Sequence, residues 1–134
     1  MTLDDLRTLC LSFPHVTEDI KWGNDLCFLI GKKMFTVTAL EPSEGHFASF
    51  KCTLERFAEL IEIEGIKPAA YMARNHWVTL ESGDVLRDSE IKELIRESYG
   101  LVLAKLPKRT QASLGKPAKR SKPRKTAKKK LRSR

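Results

Sequence analysis

Two short groups of side chains in this sequence could bind phosphate. Lys32 and Lys33 lie between two apolar segments, where the tip of a hairpin would bring two cations to phosphate oxygens. Arg74, Asn75 and His76 are consecutive, and each side chain can donate a hydrogen bond to an anion. We therefore expect both groups to contact nucleic acid. The alternative is that both segments are polar because they face water.

Three further residues adjoin these groups. Lys51 lies between a predicted strand and a predicted helix, where the free N–H groups of a helix N-terminus attract anions, so it is a third candidate phosphate ligand. Trp77 follows the Arg74 group, and we expect it to pack in the core rather than to stack on a base. Trp22 stands beside Gly23 in a predicted turn. We expect it to cover a sheet edge, with the wall of a pocket as the alternative.

The strongest indication of function is the basic C-terminal segment. Residues 108–134 contain 13 lysines and arginines and no acidic residue, whereas residues 1–107 contain 12 basic and 17 acidic residues. The segment is rich in small residues and has no aromatic residue, so we expect it to be a disordered tail. Such a tail neutralises phosphates without reading bases. Its candidate ligands are Lys119, Arg120, Lys122, Arg124, Lys125, Lys128, Lys129, Lys130 and Arg132.

The composition of the tail leaves several anionic partners open. DNA is the expected partner, and RNA, a nuclear-import receptor or an anionic membrane surface are alternatives. The membrane is disfavoured, because the tail has no Trp, Phe or Ile to insert. We expect no membrane partner and no membrane span, since no apolar run is long enough.

The same residues argue against an enzyme or a metal protein. The sequence has no P-loop, nucleophile-elbow, zinc-protease or dinucleotide-binding motif. Its three histidines are about 30 residues apart, without the spacing of metal ligands, and its three cysteines form no C-x-x-C pair. Apolar residues flank each cysteine, so we expect buried free thiols. We therefore expect no catalysis, no cofactor and no metal.

The hydrophobic pattern predicts the elements that position these groups. Thr2 can cap a first helix and Pro14 can end it. Strands are expected at 26–30, 34–40, 46–50 and 76–80, and further helices at 54–64 and from about 88 to 106. This order predicts an α+β domain at residues 1–107, with an antiparallel sheet and helices packed on one face. Residues 108–134 form the tail.

Several short motifs occur in an order that resembles the MmcQ/YjbR family of small bacterial proteins, from about Leu3 to Lys108. These motifs are Phe13-Pro14, Trp22-Gly23, Gly31-Lys32-Lys33-Met34-Phe35, Phe50-Lys51-Cys52, Asn75-His76-Trp77-Val78, Ser98-Tyr99 and Leu106-Pro107-Lys108. The resemblance implies a frataxin-like (CyaY-like) α+β fold. It also implies DNA binding through two wing-like elements, which correspond here to the Gly31–Phe35 turn and the Arg74–Trp77 segment.

Two features depart from that family. Arg74 stands where Lys is frequent, which preserves the charge and changes its geometry. The matching region is net acidic, which argues against broad electrostatic DNA binding by the folded part.

The sequence thus predicts a monomeric, cytoplasmic accessory protein that binds nucleic acid and associates with the nucleoid. The tail supplies sequence-neutral phosphate binding, and the domain adds weak contacts. The alternative is a protein- or small-ligand-binding domain that its tail localises to the nucleoid or the ribosome.

Overall fold

The computed structural model describes residues 1–43, 45–70 and 72–114. The chain divides into two units, of which the first is Met1–Ala104 and the second begins at Lys105. The elements of the first unit are α1 (Leu3–Leu11), β1 (Thr17–Lys21), β2 (Asp25–Ile30), β3 (Lys33–Ser43), β4 (His46–Lys51), α2 (Leu54–Leu60), β5 (Ile66–Pro68), a 3-10 helix (Ala73–Asn75), β6 (Trp77–Leu80) and α3 (Asp88–Ala104). The second unit contains α4 (Lys108–Leu114).

Six antiparallel strands form one sheet in the order β1-β2-β3-β4-β6-β5. The register aligns one residue of each strand in a row, and paired residues point to the same face of a sheet. One face shows the row Ile20, Leu26, Thr38, Ala48, Leu80 and Ile66. The opposite face shows Asp19, Cys27, Val37, Ser49, Thr79 and Lys67. The predicted α+β fold with an antiparallel sheet is confirmed.

The second face contains its own buried cluster. It consists of Cys27, Leu29, Val37, Ala69 and Trp77, with Met34 and Met72 packed against it. Trp77 is only 5% exposed, so the prediction that it packs in the core is confirmed. Ser49 and Thr79, also buried, join their hydroxyl oxygens across 2.8 Å, which satisfies both groups.

The sequence pattern missed both edge strands of the sheet. Strand β1 contains a single apolar residue, Ile20, and it was expected to be a loop. Strand β5 has three residues and ends at Pro68, which cannot donate a hydrogen bond to a ladder. Helix α2 ends at Leu60, before the expected position 64, and the chain then turns through Gly65 at φ +95°.

The predicted tail begins with structure. Its first residues form the helix Lys108–Leu114, in which the side-chain nitrogen of Gln111 donates to the Leu106 carbonyl at 2.7 Å. The expectation of disorder from residue 108 onward is therefore wrong for this stretch. The remaining tail, with all its candidate phosphate ligands from Lys119 to Arg132, lies outside the described residues.

A bulge interrupts the pairing of β2 with β3. Phe28 pairs with Thr36 and Leu29 pairs with Met34, so Phe35 is an extra residue in β3. The Phe35 side chain is fully buried and contacts the ring of Tyr99 on α3 at a centroid distance of 5.5 Å.

One buried hydroxyl group joins three elements at this bulge. Ser98, on α3, donates from Oγ to the Phe35 carbonyl at 2.6 Å and accepts from the backbone N–H of Lys51 at 3.0 Å. The Ser98 residue has no exposed surface. A single side chain therefore fixes α3 against β3 and against the end of β4.

Ser98→Ala should lower the free energy of unfolding by about 1–3 kcal/mol, because it leaves a buried carbonyl and a partly buried N–H without their partner. Denaturant unfolding followed by circular dichroism measures this loss. Ser89→Ala is the matched control, since Ser89 is exposed on the same helix. Equal stability of the two variants would contradict the role given to Ser98.

Candidate nucleic-acid interface

The candidate residues of the folded part lie at one end of the sheet. Thr36 pairs with Phe50, and Phe50 pairs with Val78, so the start of β3, the end of β4 and the start of β6 are adjacent. Lys32 and Lys33 lie at the first of these positions. Lys51 lies at the end of β4, and Arg74 and His76 lie just before the start of β6. We call these five residues together the basic end: Lys32, Lys33, Lys51, Arg74 and His76.

A tight turn presents the first two cations. Ile30 pairs with Lys33, and the two residues between them, Gly31 and Lys32, have φ values of +59° and +70°. Two left-handed residues are the signature of the type I′ turn that matches the twist of a hairpin. Lys32 adopts this conformation at a cost of about 1–2 kcal/mol relative to a right-handed residue. Both lysines are exposed.

The second group lies on the segment between β5 and β6. Arg74 and Asn75 are exposed in the 3-10 helix, and Arg74 makes no ion pair with any residue in the described ranges. His76 is half-buried at φ +64°, with its ring 5.7 Å from that of Phe57. Its carbonyl accepts the backbone N–H of Cys52 at 2.9 Å. His76 is therefore held by the fold, whereas Arg74 reaches into solvent.

Lys51 connects the strands to this segment. Its ammonium group donates to the Asn75 carbonyl at 2.8 Å, which gives it a structural contact beside the predicted phosphate contact. Helix α2 begins three residues later, and there the Thr53 hydroxyl accepts the N–H of Arg56 at 3.2 Å. One N–H group of that helix N-terminus is thus already satisfied by the chain.

Several acidic residues lie at the opposite end of the sheet, although Glu55, in the first turn of α2, is close to the basic end. Asp25 begins β2, Glu81 follows β6, and the first turns of α1 and α3 contain Asp4 and Asp88. We call this group, with Glu41 at the far part of β3, the acidic end. At the basic end, the carboxylate of Glu97 is 3.8 Å from Arg56, which offsets its charge. The net acidic domain therefore has a cationic end.

Trp22 does not cover a sheet edge. It lies in the β1–β2 turn at the acidic end, with φ values of +54° for Trp22 and +81° for Gly23, and the side chain is 74% exposed. The expectation of an edge cover was wrong, because most of this side chain remains in solvent.

The described cysteines are free and buried, as expected. Burial raises the pKa of Cys10 to about 12 and that of Cys52 to about 11. Both thiols are therefore protonated near neutral pH and are poor nucleophiles. Within the described ranges, no group of three or more His, Cys, Asp and Glu side chains could hold a metal ion. No helix of the same ranges is long and apolar enough to cross a membrane.

Sequence reasoning missed two clefts near the acidic end. One of about 370 Å³ adjoins Leu40, His46 and Glu81, and another of about 550 Å³ adjoins Leu40, Leu26 and Ile20. The second depends on strand β1, which the hydrophobic pattern did not reveal. Its one signal in the sequence was an apolar residue, Ile20, within an otherwise polar segment.

Lys51→Met should accelerate amide hydrogen exchange at Asn75 and His76 several-fold, because it removes the ammonium that holds the Asn75 carbonyl. Exchange measured by NMR checks this, with the amide of Ser49 in the sheet as an internal reference. Lys33→Met removes the same charge at the same end and should leave both rates unchanged. Acceleration by both variants would contradict a specific role of Lys51.

Comparisons with known proteins agree with this architecture. A family model described as YjbR matches residues 11–101. The uncharacterised protein YbdF of Escherichia coli O157:H7 is 28% identical over 107 residues, which cover 78% of this chain and 87% of that protein. The crystal structure of Deinococcus radiodurans protein DR2400, with a DUF419 domain, has a TM-score of 0.75 at 30% identity and covers 87% of this chain and 89% of its own.

A more distant structure shows the same fold. The crystal structure of a protein from Pseudomonas syringae has a TM-score of 0.64 at 22% identity, over 75% of this chain and 98% of its own. The family match extends over more than half of the sequence and includes the basic end. The chain therefore belongs to the YjbR family.

Proposed function

We propose that this protein is an accessory protein that binds nucleic acid, with DNA as the principal partner. The supporting observation is the basic end, where two segments distant in sequence bring exposed cations together in a domain that is otherwise net acidic. Cations grouped at one end can contact neighbouring phosphates while the acidic end points away. A domain with a net negative charge can therefore still contact DNA through its basic end.

The two parts of the chain have different roles in this proposal. The basic residues after Leu114 supply most of the affinity through phosphate neutralisation that is independent of sequence. The folded domain adds weak contacts through Lys32, Lys33 and Arg74. We further propose a frataxin-like fold in which the β2–β3 turn and the segment before β6 act as two wings.

The proposal assigns binding without catalysis. The protonated thiols of Cys10 and Cys52 disfavour a cysteine nucleophile. In this proposal the protein is a monomer and associates with the nucleoid.

The variant with Lys32, Lys33 and Arg74 all changed to Gln should bind duplex DNA roughly tenfold or more weakly at low salt. The plot of log affinity against log salt should become shallower by about 1 for each side chain that no longer neutralises a phosphate. Glutamine keeps the three side chains polar, and we expect the β2–β3 turn at position 32 to be retained. Fluorescence anisotropy with a labelled duplex measures both quantities.

The control for that variant makes the same charge change away from the basic end. It replaces the exposed residues Lys67, Arg87 and Lys92 by Gln. We expect this control to retain wild-type affinity within about threefold, since net charge alone has a screened, long-range effect. Equal weakening of both variants would rule out the basic end as a DNA contact.

The full chain should lose about 10³–10⁵ in affinity between 50 and 200 mM salt, if roughly 6–10 of its cations bind phosphates. A chain ending at Leu114 keeps every described element and should show weak binding with a shallow slope. Affinity titrations of both chains across this salt range test the division of roles. A flat slope for the full chain would refute phosphate neutralisation.

A second function is favoured by the two clefts near the acidic end, which are large enough for a small ligand. In that case the domain binds a ligand or a protein, and the tail localises it to the nucleoid or the ribosome. The triple Gln variant would then bind DNA as tightly as its control, while removal of residues 115–134 would abolish binding.

A further inference from the structure

Strand β1 offers an open sheet edge. Among the described residues it pairs with β2 alone, and it is the first strand in the order of the sheet. One side of its backbone therefore presents alternate N–H and carbonyl groups without a strand beside them, which is a template for another strand. Three of the five residues of β1 are exposed, and the other two are half-buried.

The 550 Å³ cleft lies directly beside this edge. Ile20 of β1 and Leu26 of β2 line it from the sheet, and Leu3 of α1 lines it from above. Ile20 and Leu26 are paired and point to the same face. A strand added to β1 would direct every second side chain to this face, into an apolar cleft.

The exposed apolar surface around the cleft supports an interaction with a partner. Ile20 is 55% exposed and Trp22, at the end of the same strand, is 74% exposed. Trp22 also holds a left-handed conformation that bulky residues rarely adopt, so the turn fixes a large ring in solvent. Exposed aromatic and aliphatic side chains in this arrangement are typical anchors of protein interfaces.

The charges around the cleft specify the chemistry of that partner. Its ionisable lining consists of the carboxylates of Asp4, Glu18 and Asp19 and the guanidinium of Arg7. Arg7 is already engaged, since it donates to both carboxylate oxygens of Glu18 at 2.8 and 2.7 Å. Asp19 lies 3.6 Å from Lys21 and is 62% exposed on the opposite face of the sheet from Ile20. Three carboxylates against the cations of Arg7 and Lys21 leave the site with a net charge of −1, which comes from Asp4.

We propose that the edge of β1 and the adjoining cleft bind an extended segment of another protein in which apolar and basic residues alternate. The segment adds a seventh strand to the sheet. Its apolar residues enter the cleft beside Ile20, and its basic residues lie beside Asp19 and at the carboxylate rim. Backbone hydrogen bonds supply affinity, and the alternating side chains supply selectivity.

A second copy of this chain fits the edge less well. Antiparallel self-pairing of β1 across its full length places Asp19 opposite Asp19, and like charges directly opposite each other destabilise a pair of strands. The acidic rim would also face an identical acidic rim. The partner is therefore a segment of opposite charge.

The direct test uses a capped peptide of about seven alternating valine and lysine residues, which spans the five residues of β1 with one residue to spare at each end. Titration into the full-length protein should shift the NMR amide signals of residues 17–21 and change the fluorescence of Trp22, since Trp77 is buried. A peptide of alternating valine and glutamate should bind at least tenfold more weakly. Equal binding of both peptides would overturn the proposed chemistry.

Backbone methylation of the peptide distinguishes strand addition from simple charge attraction. In an added strand only alternate N–H groups face β1. Methylation of one alternating set should abolish binding, and methylation of the other set should change it less than threefold. If methylation of neither set weakens binding, or if methylation of each set weakens it equally, strand addition is refuted.

Two protein variants and a control locate the site. Ile20→Lys should weaken binding at least tenfold and Asp19→Lys several-fold, and both positions are exposed enough to preserve the fold. Glu62→Lys makes the same charge change as Asp19→Lys, at an exposed position after α2, which packs against β5 and β6 at the other edge of the sheet. It should bind normally. Loss of binding in the control, or protection of β1 by dimer formation without peptide, would overturn the proposal.

Discussion

The buried hydroxyl of Ser98 is the constraint on which the rest of this structure depends. By bonding the Phe35 carbonyl and the Lys51 N–H, it stabilises the bulge in β3 and the end of β4 against α3. Lys51 in turn holds the Asn75 carbonyl. The positions of Lys51 and of the segment that carries Arg74 thus depend on a short series of hydrogen bonds that begins in the core. An apolar residue at 98 would leave the middle of the sheet intact and its basic end poorly fixed.

The central strands were predictable and the edge strands were not, for one physical reason. Strands β2, β3 and β4 are covered on both faces, so selection for burial leaves an apolar pattern such as Leu26 to Ile30. Edge strands are half solvated, and β1 needs only Ile20 on its apolar face. Its sequence is therefore typical of a loop. The same absence of pattern concealed the cleft, which exists only because β1 extends the sheet.

The candidate cations were identifiable from residue type, but their arrangement was not. Antiparallel strands return alternate connections to the same end of a sheet, so the register brings together cations that are far apart in the sequence. Lys33 and Arg74 are distant in sequence and lie at one end only through the pairing of β3, β4 and β6. Trp22 illustrates the reverse case. Its turn was recognisable, but the direction of its ring depends on a left-handed φ that composition does not reveal.

The separation of charge between the two ends makes the domain an electric dipole. In the field of a polyanion, such a dipole experiences a torque that turns its positive end forward before contact, over distances comparable to the Debye length of about 8–10 Å. Orientation during approach increases the rate of productive encounters more than it increases the final affinity. The acidic end, with β1 beside it, would then face outward from the nucleic acid and remain accessible to a basic partner.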